Sequence, residues 1–269
     1  EITYGDWSSD VCSSDLRGRL LTATALPPTA IPVVPSSAAP ILARAAMHPI
    51  RIAPSLLAAD FAQLRDEVSS VEQAGADWLH LDVMDGHFVP NLTFGPAVVE
   101  AVRRCSTRPL DVHLMISDPW RYADAFLDAG VDALTFHVEV EEHGDVAELL
   151  RRIRGRGKLA GLSVQPDTPV DRLARYVDEL DLVLVMSVFA GFGGQKFMPE
   201  VLPKVAALRM LGFEGEISMD GGIGPATIAA RAAAGTTVFG AGTAVFGADD
   251  RSARIAELRR LATEARAQR

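Results

Sequence analysis

The chain has 269 residues, a formal net charge of −9 and a sequence pI near 5.2, with 48% hydrophobic and 23% charged residues. This composition fits a soluble globular protein with a sizeable core, and the acidic balance argues against a nucleic-acid partner, which demands a basic surface. No run of about 18 apolar residues occurs, so no membrane span is expected; the two cysteines, Cys12 and Cys105, offer neither a disulfide framework nor a zinc site, and a reducing cytoplasm is the expected compartment.

Residues 1–46 read differently from the rest. Segment 20–46 is rich in Ala and Pro, and Pro27, Pro28, Pro32 and Pro35 interrupt any helical or strand period. Glu1 stands where a secretory signal carries a base. Segment 6–16 (DWSSDVCSSDL) looks like the in-frame translation of a sequencing-library adapter, and the first methionine is Met47. We therefore expect 1–46 to be a disordered, non-native extension, the natural chain to begin at Met47, and residues 47–269 to form the folded domain.

From residue 51 onward, short β-branched runs alternate with longer amphipathic ones. Strands are predicted at 51–54, 77–83, 109–115, 132–138, 158–164, 181–187, 215–220 and 236–240. The first helix is predicted over 61–74, where Phe61, Leu64, Val68 and Val71 recur at three- and four-residue spacing. Glycine stops follow helices at Gly75, Gly130 and Gly235, while Pro96, Pro119, Pro199 and Pro225 mark helix starts, where a missing N–H costs nothing. Eight strand–helix units predict an α/β fold, a single-domain (β/α)8 TIM barrel. A doubly wound sheet is the alternative, but no GxGxxG turn follows the first strand.

In such a barrel, function sits at the C-terminal ends of the strands. Those ends carry Ser55, His80, Asp82, His113, His137, Ser187, Asp220 and the glycines around Gly242. His80 and Asp82 are two apart on one strand, so they share a face. Taken singly, a barrel histidine is more often a packing residue. As four residues on three strand ends, His80, Asp82, His113 and Asp220 form a mixed nitrogen and oxygen set suited to one divalent cation such as zinc, iron(II), manganese or cobalt. His137 is read as a satisfied core histidine, with a partner standing behind a metal ligand as the alternative, Asp85 as a turn residue and His87 as a loop residue. Glycine-rich loops follow strands 6, 7 and 8 at 191–195, 220–224 and 240–243. Phosphate is commonly held after strands 7 and 8 in these barrels, and Gly222, Gly242 and Thr243 are the expected contacts.

PSLLAADF (54–61), HLDVMDGHFVPN (80–91), DVHLM (111–115), GFGGQKF (191–197), MDGGI (219–223) and AGT (241–243) occur in the order of the ribulose-phosphate 3-epimerase motifs, and the chain resembles that family over 51–247. The resemblance implies that His80, Asp82, His113 and Asp220 hold the metal and that Asp82 and Asp220 are the acid–base pair. It further implies that Ser55 and His113 touch the substrate. Met84, Met115 and Met186 would surround its reacting carbons, and Gly191, Phe192, Gly193, Gly194, Gly221, Gly222, Gly242 and Thr243 its phosphate end. The implied reaction interconverts D-ribulose 5-phosphate and D-xylulose 5-phosphate through an enediolate, in a homo-oligomer with a small ketose phosphate as its partner. A sister epimerase acting on a six-carbon ketose phosphate would use the same parts, and a binding module without catalysis is the reading from another class. A Schiff-base aldolase is disfavoured, because Lys158, Lys196 and Lys204 all miss the end of strand 6. One departure stands out: Phe189-Ala190 replaces the residues before GFGGQ, where the family usually has proline. The expectation is a looser loop, which proline at 190 should stiffen.

Overall fold

The eight apolar runs become eight strands: β1 (Arg51–Pro54), β2 (Leu79–Met84), β3 (Leu110–Met115), β4 (Ala133–His137), β5 (Leu159–Val164), β6 (Leu182–Met186), β7 (Glu216–Asp220) and β8 (Val238–Ala241). They belong to a computed structural model that describes residues 48–268. Neighbouring strands are parallel, in the order β1-β8-β7-β6-β5-β4-β3-β2. A parallel bridge between Ser55 and His80, and the Asp77 N–H donating to the Ile52 carbonyl at 3.0 Å, bring β2 back to β1. The sheet therefore curls into the expected (β/α)8 barrel and is not an open doubly wound sheet. The expectations for segment 1–46 and for Met47 lie outside the described residues.

The helices are α1 (Leu64–Gln73), α2 (Pro96–Cys105), α3 (Pro119–Asp128), α4 (Val146–Gly155), α5 (Pro203–Met210), α6 (Ile228–Ala234), the single turn α7 (Thr243–Phe246) and α8 (Arg251–Ala267); a 3-10 helix, Val170–Glu179, joins β5 to β6. The helix expected from residue 61 opens as a 3-10 turn, Phe61–Gln63, where the Asp60 side chain accepts the Ala62 N–H. Pro96 and Pro119 occupy first helical positions, and Pro199 opens a 3-10 turn. Pro225 does not start a helix. Thr227 Oγ accepts the Gly224 N–H at 3.1 Å and donates to the Gly222 carbonyl at 2.8 Å, holding a turn that delays α6 to Ile228. The predicted stops hold: Gly75, Gly130 and Gly235 take left-handed backbone at φ 92°, 93° and 117°.

Strand alternation divides the molecule chemically. On β2, Leu79, Leu81 and Val83 pack with Val68 and Val71 of α1 and Val99 and Val102 of α2, in the large apolar layer between sheet and helices. Fully burying each such side chain is worth about 1.5–3 kcal/mol, so this layer carries the stability. The barrel interior is mixed. Leu182, Leu184, Met186, Ala53 and Val238 form one apolar side, while His80, Asp82, Asp111, His113, Thr135, His137 and Ser163 are buried on β2 to β5. Buried polar groups are costly unless paired, so their concentration marks where the chemistry sits.

Candidate active site

The parallel register sets His80 beside Asp111 and Asp82 beside His113. His80 Nδ1 lies 2.8 Å from Asp111 Oδ2, and its Nε2, 3.2 Å from Asp82 Oδ1, makes no hydrogen bond. Ser55 Oγ donates to Asp82 Oδ2 at 2.6 Å. His113 Nδ1 lies 3.2 Å from Asp82 Oδ1, and its Nε2 is 2.9 Å from His137 Nε2. His137 Nδ1 in turn lies 2.9 Å from Glu139 Oε2, and Glu139 Oε1 accepts the Gln165 N–H at 2.8 Å. His137 is thus a buried histidine paired at both nitrogens, and it also holds the ring of His113.

These contacts assign the lone pairs. An ionised Glu139 takes the His137 Nδ1–H, so His137 Nε2 accepts from His113 and leaves the His113 Nδ1 lone pair facing Asp82. Asp111 takes the His80 Nδ1–H and leaves the Nε2 lone pair facing the same carboxylate. Two imidazole lone pairs thus converge on Asp82, all within 4.8 Å of one another, a place that favours a cation. A carboxylate behind a ring, direct for His80 through Asp111 and relayed by His137 from Glu139 for His113, is the usual device for aiming a histidine at a metal.

Electrostatics separates the two aspartates. Burial raises the Asp82 carboxyl, but His80 and His113 outweigh it and hold Asp82 well below the usual range. Burial and then the charge of Asp82 push Asp220 up to about 6. Burial opposes a charge on His80, yet Asp82 and Asp111 hold its pKa well above the usual value, so its Nε2 would offer a lone pair only where a cation displaces that proton. Burial drives the His113 ring the other way.

Above this layer opens a cavity of about 610 Å³, ample for a small phosphorylated sugar. Ser55, Asp82 and Asp220 line it, as do Met84, Met115 and Met186. Gly191, Phe192, Gly193 and Gly194 form one rim, and Gly221, Gly222, Gly242 and Thr243 another. His80 and His113 are fully buried and stand behind the wall. Asp220 stands outside the three-residue cluster, on β7, with β8 and β1 between it and β2. A Cβ at Gly240 would lie 2.7 Å from Asp220 Oδ1; the glycine leaves room for that carboxylate.

The loop after β6 is anchored by a bond that proline could not make. The Ala190 N–H donates to Gln165 Oε1 at 3.1 Å, Asn91 Nδ2 donates to the Gly191 carbonyl at 2.6 Å, and Gln195 Nε2 reaches the Phe189 and Phe192 carbonyls at 2.7 and 2.9 Å. The expected stiffening by Ala190→Pro is therefore reversed: losing one hydrogen bond costs about 1 kcal/mol and frees the loop. Limited proteolysis should cut the variant faster between Phe189 and Lys196; slower cutting would mean the bond holds nothing.

Asp111, Glu139, Asn91 and Gln165 escaped the sequence reading. Asp111 had a signal, lying two residues before His113 on the same strand face. Glu139 lies two after His137, but in the 3-10 turn Val138–His143, where strand alternation no longer applies. Asn91 and Gln165 act across 100 and 25 residues of sequence, with no local pattern to reveal them.

A barrel with a histidine–aspartate cluster and two carboxylates lining the cavity at its mouth defines the class: a (β/α)8-barrel enzyme. The chain belongs to the ribulose-phosphate 3-epimerase family, a family of isomerases, whose profile matches residues 51–246. It is 50% identical over 215 residues to the ribulose-phosphate 3-epimerase of Mycobacterium bovis, covering 78% of this chain and 92% of that one. To the Bacillus subtilis protein of the same name it is 47% identical over 215 residues, covering 78% and 98%. Among solved structures, 3-keto-L-gulonate-6-phosphate decarboxylase from Vibrio cholerae shares the fold, with a TM-score of 0.64, 20% identity and coverage of 81% and 99%. Among the described residues, no helix is long and apolar enough to cross a membrane.

Proposed function

We propose that this chain epimerises carbon 3 of D-ribulose 5-phosphate, giving D-xylulose 5-phosphate. The observation that carries the reading is a pair of aspartates in one cavity, Asp82 held low by two histidines and Asp220 pushed up to about 6. A carboxylate that stays ionised and one that holds its proton near neutral pH suit a general base and a general acid. Asp82, fixed by Ser55 Oγ, removes the C3 proton beside the ketone, leaving an enediolate. Asp220 returns a proton to the same carbon from the opposite face, and the roles exchange in the reverse direction. No redox cofactor enters this balance.

His80, Asp82 and His113 fit a divalent cation, by their converging lone pairs and by the unpartnered His80 Nε2. Asp220 is proposed as the fourth ligand. When bound, the cation supplies Lewis-acid stabilisation of the charge that develops on the sugar oxygens, worth several kcal/mol in such sites. The phosphate end lies against Gly221, Gly222, Gly242 and Thr243, whose backbone amides need no side-chain rearrangement to reach it. We place the reaction in the cytoplasm, where the rice relative's name places its isoform; that isoform is 44% identical over 219 residues.

Steady-state kinetics test the reading. The specificity constant for ribulose 5-phosphate should exceed that for allulose 6-phosphate by about tenfold or more, because an added carbon lifts either the ketone off the carboxylates or the phosphate off its amides. A comparable or higher value for the six-carbon substrate would name a sister epimerase with the same mechanism.

A further inference from the structure

The cavity wall carries two carboxylates and, among the described residues, no Lys, Arg or His. A phosphate dianion entering it meets unfavourable charge before it meets any amide. The compensating charge stands directly behind the wall. Arg231, on α6, is fully buried, and its Nη2 donates to the Gly221 carbonyl at 2.7 Å and to Ser187 Oγ at 3.2 Å. Its guanidinium carbon lies 3.6 Å from the centroid of the Phe197 ring, at the foot of the loop after β6. Nε and Nη1 make no hydrogen bond. Burying a guanidinium with two unspent donors is costly, and the Phe197 ring and the charge of Asp220 offset only part of that cost, since its pKa still falls below the usual arginine value.

We propose that Arg231 is a positioning residue that tunes the phosphate end of the cavity through the Gly221–Gly222 peptide. The carbonyl of that peptide accepts from Arg231, and its N–H belongs to Gly222, which lines the cavity. A charged donor on the carbonyl polarises the amide and strengthens the N–H as a donor to an anion. The same side chain ties the loop after β7, through Gly221, to the loop after β6, through Phe197, so both rims keep their spacing. Burial lowers its pKa only to about 10, and the group stays charged at neutral pH.

The inference rests on the epimerase reading for its kinetic arm only; inorganic phosphate, used as a competitive inhibitor and in calorimetry, probes it independently. Arg231→Gln keeps a donor to Gly221 but removes the charge. It should raise KM for the ketose phosphate and the phosphate dissociation constant about tenfold, with the loss falling on KM rather than kcat. Arg231→Lys should recover most of this. Turnover of unphosphorylated ribulose should be unchanged, whereas a merely structural role would depress both substrates alike. Wild-type phosphate affinity in the Gln variant overturns the proposal. Should that variant not fold, the buried Arg231 Nε–H of the unmutated protein serves: its resonance must titrate with phosphate, and a resonance that stays fixed overturns the proposal. Arg231-dependent phosphate binding without epimerisation would retain this inference and remove the epimerase reading; normal epimerisation without it would do the reverse.

Discussion

Asp220→Asn should abolish net epimerisation while leaving one half of the reaction intact. With Asp82 still able to remove the C3 proton, the variant in heavy water should wash deuterium into unreacted ribulose 5-phosphate and form no xylulose 5-phosphate. Asp82→Asn should do neither from that side, yet exchange deuterium when started from xylulose 5-phosphate. The expected fall in net turnover is about 10²–10⁴-fold for either, the usual worth of a positioned acid or base. Both side chains are also proposed ligands, so bound metal must be measured alongside. With metal retained, normal epimerisation by either variant rules out the two-aspartate mechanism. Exchange in the opposite pattern keeps the mechanism and swaps the roles, against the opposed pKa displacements of the two groups.

Stripping the divalent cation should produce a loss of similar size, reversed on adding zinc, iron(II), manganese or cobalt at one ion per chain. The site gives this prediction a second, independent readout. Asp111 touches His80 Nδ1 at 2.8 Å and no proposed substrate group, so Asp111→Asn should act only through the aim and basicity of His80. Metal affinity measured by calorimetry should fall about 10–100-fold, as is usual when the partner of a ligating histidine is altered. His113→Ala should cost more, since it removes a proposed ligand and leaves the His137–Glu139 pair without its object. Full turnover by a rigorously metal-free preparation would refute the ligand assignment, whatever the variants do.

Much of the barrel could be read from the amino-acid order because strand and helix periods are local. Alternation within LHLDVM separates the residues that face the helices from His80, Asp82 and Met84, and Gly75 or Gly235 ends a helix through its own backbone freedom. Where the reading erred, a neighbour distant in sequence or a side chain in the turn decided. Pro225 lost its helix start to Thr227, and the missing proline at 190 turned out to leave an N–H that Gln165 uses.

The site divides along the same line. The sequence by itself determined which residues could do chemistry: His80, Asp82, His113 and Asp220 stand at strand ends, and parallel strands of a closed ring bring their ends to one mouth. Only the tertiary structure decided how they are arranged. Asp111 and Glu139 assign the lone pairs of His80 and His113, and Asp220 joins the cavity without joining the three-residue cluster. Arg231 places a cation behind a wall that has none. Those facts depend on distances between residues far apart in the chain, 31 positions for His80 and Asp111, 44 for Ser187 and Arg231, and more for Asp82 and Asp220, and no local period encodes such distances.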